Sequence, residues 1–306
     1  MTEDPLVSIA IISFNNENYI GECIESCLAQ TYENIEIIIA DDASTDNSLK
    51  IINEYALLHP LKIKVIYSKI NCGVSSNFNK AVKASKGEWL KYIASDDLLI
   101  SDCIENYMIE ISRLNLKSGI LFSKMKTFGS KFKEDISSSK MPEIFKIDAD
   151  ERIKSILIDN TLSSPTAFLN MNTLYELGLS NEDYPFIEDY PMWLKAILNG
   201  VSLKYLDIFT VKYRYHDSLS NSLDKIGNIK FYRSRLKFFR NEIWNRRVGF
   251  SKLKNIDDFI SLHSTIILIK IFSNKKTIPY KIISLVLKLL KPYSITRKLL
   301  GIVNRQ

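Results

Sequence analysis

Along the first hundred residues, short and nearly continuous apolar runs alternate with segments whose apolar positions recur every three or four residues. Leu6 to Phe14, Ile35 to Ala40, Ile63 to Tyr67 and Trp89 to Ala94 are the continuous runs, the pattern of strands covered on both faces. Between them, Tyr19 to Gln30 places Ile20, Cys23, Ile24, Cys27 and Leu28 on one helical face. Ser44-Thr45-Asp46 can cap a second helix running to about His59, and Ser75 to Ser85 reads as a third, after a turn at Asn71-Cys72-Gly73 and closed by Gly87. Repeated strand–helix units of this length predict a mainly parallel sheet with helices on both faces.

Further on, the pattern predicts a helix over Ser101–Leu114, a short strand over Gly119–Ser123 and a polar, irregular loop over Lys124–Lys146. It then predicts a helix from Ile187 to Asn199, strands at Ser202–Leu206 and Phe209–Tyr215, and helices over about Asn228–Arg247, Ile256–Phe272 and Pro279–Leu290.

An apolar content of 46% with 25% charged residues describes a globular protein. Cys23, Cys27, Cys72 and Cys103 match no disulfide framework or zinc spacing, so reduced thiols in a cytoplasmic protein are expected. The acidic start Met1-Thr2-Glu3-Asp4 speaks against a signal peptide, and no run is long enough to cross a membrane. The net charge of +6 conceals an asymmetry: from Asn221 onward there are 19 Lys/Arg against 4 Asp/Glu, and before it 22 against 31. The basic stretch is too apolar for a disordered nucleic-acid arm. A peripheral surface facing anionic phospholipid fits it better.

Ligands of open parallel sheets bind at the carboxyl ends of the strands. Here those ends carry Ser13-Phe14-Asn15-Asn16, Asp41-Asp42 and Ser95-Asp96-Asp97. An aromatic ring beside polar side chains suits a nucleobase, and a carboxylate such as Asp42 can accept from a uracil N3–H. Taken singly, such residues are ordinary turn formers and helix caps; their recurrence at successive strand ends points to a ligand. Adjacent carboxylates repel each other and cost desolvation, which a hard cation bridging phosphates offsets. Neither G-x-G-x-x-G nor G-x-x-x-x-G-K-[ST] occurs, so a diphosphate would be held by Mn²⁺ or Mg²⁺ and side chains.

Val7-Ser8-Ile9-Ala10-Ile11-Ile12-Ser13-Phe14-Asn15, then Ser26-Cys27-Leu28-Ala29-Gln30-Thr31-Tyr32, then Ile39-Ala40-Asp41-Asp42-Ala43-Ser44-Thr45-Asp46 resemble, in order, the opening segments of family 2 glycosyltransferases of GT-A fold. Asn71-Cys72-Gly73 to Asn79, Gly87-Glu88-Trp89 and Ser95-Asp96-Asp97 continue the likeness at similar spacing. The resemblance implies a UDP-sugar donor, with Asp42 on the uracil, Phe14 on base or ribose, and Ser13, Asn15, Asn71 and Asp96 around the nucleotide sugar. It implies Asp97 as metal ligand, with Asp96 and His216 as further candidates. Ala43 stands where the family often has Gly, and Phe78 where many members have Arg.

Glu188-Asp189 resembles the family's E-D motif at a helix start. In an inverting single displacement a general base must take the acceptor proton; the resemblance gives that role to Asp189, with Glu188 as the alternative. Acidic residues also simply favour helix N-termini. Tyr213-Arg214-Tyr215-His216 resembles a late family stretch in which Arg214 either meets phosphate or pairs with an acidic neighbour. Tyr184-Pro185-Phe186 and Trp193 could form a sugar-stacking platform, although aromatics at helical spacing are usually core.

The expected architecture is a GT-A catalytic domain over residues 1–222, with a nucleotide-binding half to about 100 and an acceptor-binding half after it. A basic helical region, 223–306, follows. The expected activity is transfer of a hexose, with inversion, to a lipid-linked oligosaccharide of O-antigen, other lipopolysaccharide or capsule synthesis at the inner membrane face. A soluble or protein acceptor, a silent sugar-nucleotide-binding module and a phosphoacceptor receiver domain are the rival readings; the second acidic pair and the E-D motif count against the last.

Overall fold

In the computed structural model, which describes residues 4–129, 136–137, 141–215 and 225–299, the first apolar run becomes β1 (Val7–Ser13), buried at all but Ile12. α1 (Ile20–Leu28) turns Ile20, Cys23, Ile24 and Cys27 into the core. The alternation continues through β2 (Ile35–Asp41), α2 (Ser48–Leu58), β3 (Ile63–Tyr67), α3 (Val74–Ala84) and β4 (Trp89–Ala94). β1 pairs in parallel with β2 and β4, and β2 with β3. The four strands therefore bring their polar C-terminal ends to one edge.

The next elements are β5 (Leu98–Leu99), α4 (Cys103–Leu114), β6 (Ile120–Phe128), β7 (Ile136–Ser137), α5 (Ala149–Ile158), β8 (Phe168–Asn170), α6 (Met171–Glu176), α7 (Asp189–Leu198) and β9 (Leu203–Arg214). The sheet runs β3-β2-β1-β4-β8-β6-β9-β5, with β7 on β6. β8 is antiparallel to β4 and β6, while β6 and β9 are parallel. Trp89, Phe168 and Tyr107 stack where the parallel and mixed halves meet.

Three details differ from expectation. β6 continues through Lys124–Phe128, where the polar residues predicted a loop. The two strands expected around Asp207 are one, because the register of β9 on β6 slips between Ser123 and Met125. Asp207 marks that bulge and pairs with Lys124 at 2.6 Å. α5 and β8 were not anticipated, β8 being only three residues long and too short for any periodicity to show.

α8 (Ile229–Phe238) runs into a π-turn, followed by α9 (Lys252–Ile271), α10 (Ile278–Lys288) and α11 (Pro292–Leu299). The described residues of 1–141 and 162–215 form one compact unit, and those of 142–161 and 216–306 a second. α5 belongs to the second: buried Arg247 donates to the carbonyl of Leu157 at 2.8 Å and pairs with Asp258 at 2.7 Å.

Candidate active site

The loops after β1, β2 and β4 are tied to one another before any ligand is considered. Asn15 adopts a left-handed conformation (φ 51°), which Asn tolerates. Its amide N–H donates to Ser44 Oγ, and its Oδ1 accepts from the Thr45 N–H at 2.8 Å. Asn16 Nδ2 donates to Ser95 Oγ at 2.7 Å. Asn15 thus braces the neighbouring loop with its side-chain carbonyl, and the residue is exposed. Phe14 is half-buried beside it, and Ser13 Oγ is buried without a hydrogen-bond partner among the described residues.

Asp42 is buried, and its two oxygens accept from the backbone N–H groups of Cys72 (3.0 Å) and Gly73 (2.8 Å). Each carboxylate oxygen can accept more than one donor, so the group is fixed in place with acceptor capacity left. Asn71, beside these amides, is exposed.

Asp97 is buried, and its Oδ1 accepts from the Arg214 N–H at 2.8 Å while Oδ2 has no hydrogen-bond partner among the described residues. Burial, and then the neighbouring Asp96, pushes its carboxyl well above the usual range. An orphaned carboxylate oxygen beside a second carboxylate fits a hard divalent cation, which takes one or two protein carboxylates and completes its shell with phosphate oxygens and water. No group of three or more His, Cys, Asp or Glu suited to a metal occurs among the described residues; His216 lies outside them. Arg214 does not reach outward. Its Nε donates to the Asp96 carbonyl, its Nη2 pairs with Glu22 at 2.5 Å, and the guanidinium lies over Tyr19 and Phe128.

α3 joins the loops at the strand C-terminal ends to the segment carrying Glu188 and Asp189. Gly73, at its N-cap with φ 90°, comes so close to Pro185 that a Cβ would lie 2.4 Å from the Pro185 carbonyl oxygen. Ser75 Oγ donates to the Tyr184 carbonyl at 2.8 Å. Buried Asn79 exchanges hydrogen bonds with the Ser180 backbone in both directions and donates to Glu182. Ser180 Oγ in turn donates to the Glu188 carbonyl.

Glu188 is the N-cap residue of α7, yet its side chain makes no cap hydrogen bond. It accepts instead from Ser164 Oγ at 3.4 Å, and Ser164 also bonds the Tyr92 hydroxyl. Burial of the carboxyl, followed by the charge of Asp189, pushes Glu188 up to about 7. Asp189 Oδ1 accepts from the Tyr190 N–H at 2.6 Å. Behind them Lys91, fully buried, donates to the carbonyls of Tyr92, Pro165 and Ala167 and thereby anchors the Ser164 segment; burial brings its pKa down to about 8.

Ser75, Asn79, Tyr92, Ser164 and Lys91 were not singled out as site residues from sequence. A lysine inside the run Trp89–Ala94 was the one visible signal. Of the residues expected as a sugar platform, Trp193 lies in the core on α7, edge-on to Phe122, and Tyr184 is buried in the turn before it, while Pro185 and Phe186 are half-buried. Phe78 is likewise buried, edge-on to Tyr92.

The family described as Glycosyl transferase family 2 matches residues 8–169. An uncharacterized glycosyltransferase of Rickettsia felis is 30% identical over 73% of this chain, which spans only 36% of that protein's length. The Escherichia coli protein WfaP, named as a UDP-Glc:alpha-D-GlcNAc-diphosphoundecaprenol beta-1,3-glucosyltransferase, is 29% identical over 69% of this chain and 78% of its own. Among solved structures, S. aureus TarS 1–349 in complex with UDP-GlcNAc superposes with a TM-score of 0.59 at 20% identity, over 85% of this chain and 81% of that one. The fold is accordingly GT-A.

Proposed function

This chain belongs to glycosyl transferase family 2, and from that premise we propose that it moves a hexose from a UDP-sugar to a hydroxyl of a lipid-linked oligosaccharide, with inversion, in surface-polysaccharide (O-antigen or capsule) synthesis. The names of WfaP and of the TarS complex supply the donor and acceptor classes. The observation that carries the reading is the joint at α3, where Gly73 touches both Asp42 and Pro185 and so links a nucleotide-side acceptor to the loop of the two catalytic carboxylates. The enzyme works as a peripheral protein at the inner face of the cell membrane.

In this reading Asp42 accepts the uracil N3–H on its remaining lone pairs, and Phe14 lies against base or ribose. Ser13, Asn15, Asn71 and Asp96 line the nucleotide sugar. Asp97 with Asp96 would hold Mn²⁺ or Mg²⁺, and His216 is the further ligand offered by sequence. Such a cation, when bound, offsets the charge of the diphosphate. The acceptor oxygen bonds to the sugar C1 as the C1–O bond to UDP breaks, the bonding electrons leaving with UDP. The hydroxyl proton goes to the Glu188–Asp189 pair. Family resemblance assigns Asp189 as base, while a carboxyl near pH 7 is what a base working at neutrality needs and favours Glu188.

The test uses the full chain with a panel of UDP-sugars and a diphosphoundecaprenol-linked sugar, with and without Mn²⁺. Asp189→Asn is expected to lower turnover by about 10²–10⁴ while calorimetric UDP-sugar binding stays unchanged, with a smaller loss for Glu188→Gln. The reverse order moves the base to Glu188. With Glu188 as the base, which must be deprotonated to act, activity should in addition rise as pH passes through about 7. Unchanged turnover in both variants removes the mechanism. UDP-sugar binding without turnover on any acceptor replaces the reading with a silent binding module.

A further inference from the structure

α10 has two apolar faces. Tyr280 and Leu287 turn onto Ile226, Leu268 and Ile269. On the opposite side, at the spacing of a single helical stripe, Ile278, Ile282, Leu285, Val286 and Leu289 are exposed, Ile278 by 73% and Leu289 by 68%. A helix of a globular unit needs only the first face. A contiguous exposed apolar strip edged by charge marks an interaction surface.

At the N-terminal end of α10 lies a cavity of about 640 Å³ lined by Lys225, Lys275, Lys276 and Lys281, with Thr277 at the helix N-cap. The lysines are brought together by the backbone. Lys225 and Lys275 face each other across an antiparallel bridge, which the Ile226 N–H closes on the Asn274 carbonyl at 3.1 Å and the Gly227 N–H on Asn274 Oδ1 at 3.0 Å. An anion bound at this bridge would attract both ammonium groups. From Asn274 to the end the sequence holds eight Lys/Arg and no Asp/Glu, with Lys281 and Lys288 flanking the stripe.

We infer that α10 lies in the plane of an anionic bilayer, its outer stripe among the acyl chains and the lysine-lined cavity on a phospholipid phosphate. The inference deepens the proposed reading and takes from it only that the acceptor is held at a lipid surface. Eleven residues make a helix of about 16 Å, half the roughly 30 Å of a hydrocarbon core, so the helix lies along the surface rather than across it. A second copy docked on this face by two-fold symmetry would set the same lysines against each other. An anionic headgroup layer complements both the stripe and the charges.

The test sediments the full chain with vesicles of phosphatidylcholine alone and of phosphatidylcholine mixed with phosphatidylglycerol. The parent should pellet only with the mixed vesicles. Lys275→Gln, Lys276→Gln and Lys281→Gln together should lower the partition about a hundredfold at low salt. Ile282→Asn with Leu289→Asn should remove the part of the binding that survives high salt, since insertion is not screened. Equal pelleting of the parent and the lysine variant overturns the inference, as does a parent that stays in the supernatant. Displacement by millimolar inorganic phosphate assigns the cavity to a free anion and overturns it too. So does an Ile282/Leu289 variant that converts a dimer to a monomer with vesicle binding unchanged. Turnover on a short soluble acceptor separates the two proposals: its survival in all these variants, with vesicle binding lost, supports both, and its absence in the parent counts against the function alone.

Discussion

α1 and α10 are both amphipathic helices rich in isoleucine or leucine, and the structure treats them in opposite ways. Every apolar position of the α1 stripe from Ile20 to Cys27 is buried in the main core, whereas α10 has no buried residue at all. Around α1 and α3 even the polar groups are used internally: Asp42 on two amides, Asn79 on Ser180, Arg214 on Asp96 and Glu22. An amphipathic pattern therefore says that a face will be covered. It does not say by what.

The sharpest way to break the comparison is a matched pair of substitutions. Ile24→Asn should lose the burial of an isoleucine and place an unpaired amide in the core, at a cost of about 4 kcal/mol. Ile282→Asn, on the outer stripe, should stay within about 0.5 kcal/mol of the parent in the absence of lipid. Chemical denaturation of both variants measures this, and equal losses would mean that the α10 stripe is covered within the protein.

A second pair tests how tightly each region is built. Gly73 and Gly249 both have positive φ, but a Cβ at Gly73 meets the Pro185 carbonyl oxygen at 2.4 Å, while nothing lies within 4 Å at Gly249. Gly249→Ala should cost about 1 kcal/mol, the conformational term alone. Gly73→Ala should cost about 3 kcal/mol and also weaken UDP binding measured by calorimetry, because Asp42 is held by that turn. Similar costs at the two positions would deny that the α3 joint is tight.

The smallest effect expected is a gain. Ala43 carries φ 65°, a conformation that costs a non-glycine residue roughly 1–2 kcal/mol. Ala43→Gly should recover up to about 1 kcal/mol after the greater freedom of glycine in the unfolded chain is allowed for, seen as a melting shift of about 2 °C. The departure from the family's Gly at this position is thus a strain the fold carries.

Much of the candidate site was readable because its residues follow strands whose apolar runs are unmistakable. Asp42, Asp96 and Asp97 end such runs, and a parallel sheet must bring those ends to one edge. Gln30, in the Ser26–Tyr32 segment, proved to be scaffold: it bonds the Ile100 carbonyl and the Ile104 N–H, which the motif alone could not distinguish from ligand contact. The roles of Ser164 and Lys91 were not readable, although a lysine inside an apolar strand was itself a visible signal, since those roles depend on a three-residue strand, β8, bringing residues 164–167 alongside β4.

The periodicity of apolar residues determined by itself the parallel half of the sheet, its helices and the strand ends carrying acidic groups, because burial on two faces or one leaves a local record in the chain. The asymmetry of charge likewise set apart the basic C-terminal helices. Only the tertiary structure decided that Arg214 turns inward on Glu22, that the Asp97 Oδ2 is buried, that burial beside Asp189 raises the Glu188 carboxyl, and that the outer stripe of α10 is uncovered among the described residues. These depend on which distant segments come within a few ångströms, and hydrogen bonding, desolvation and coverage are properties of that proximity that no local pattern encodes.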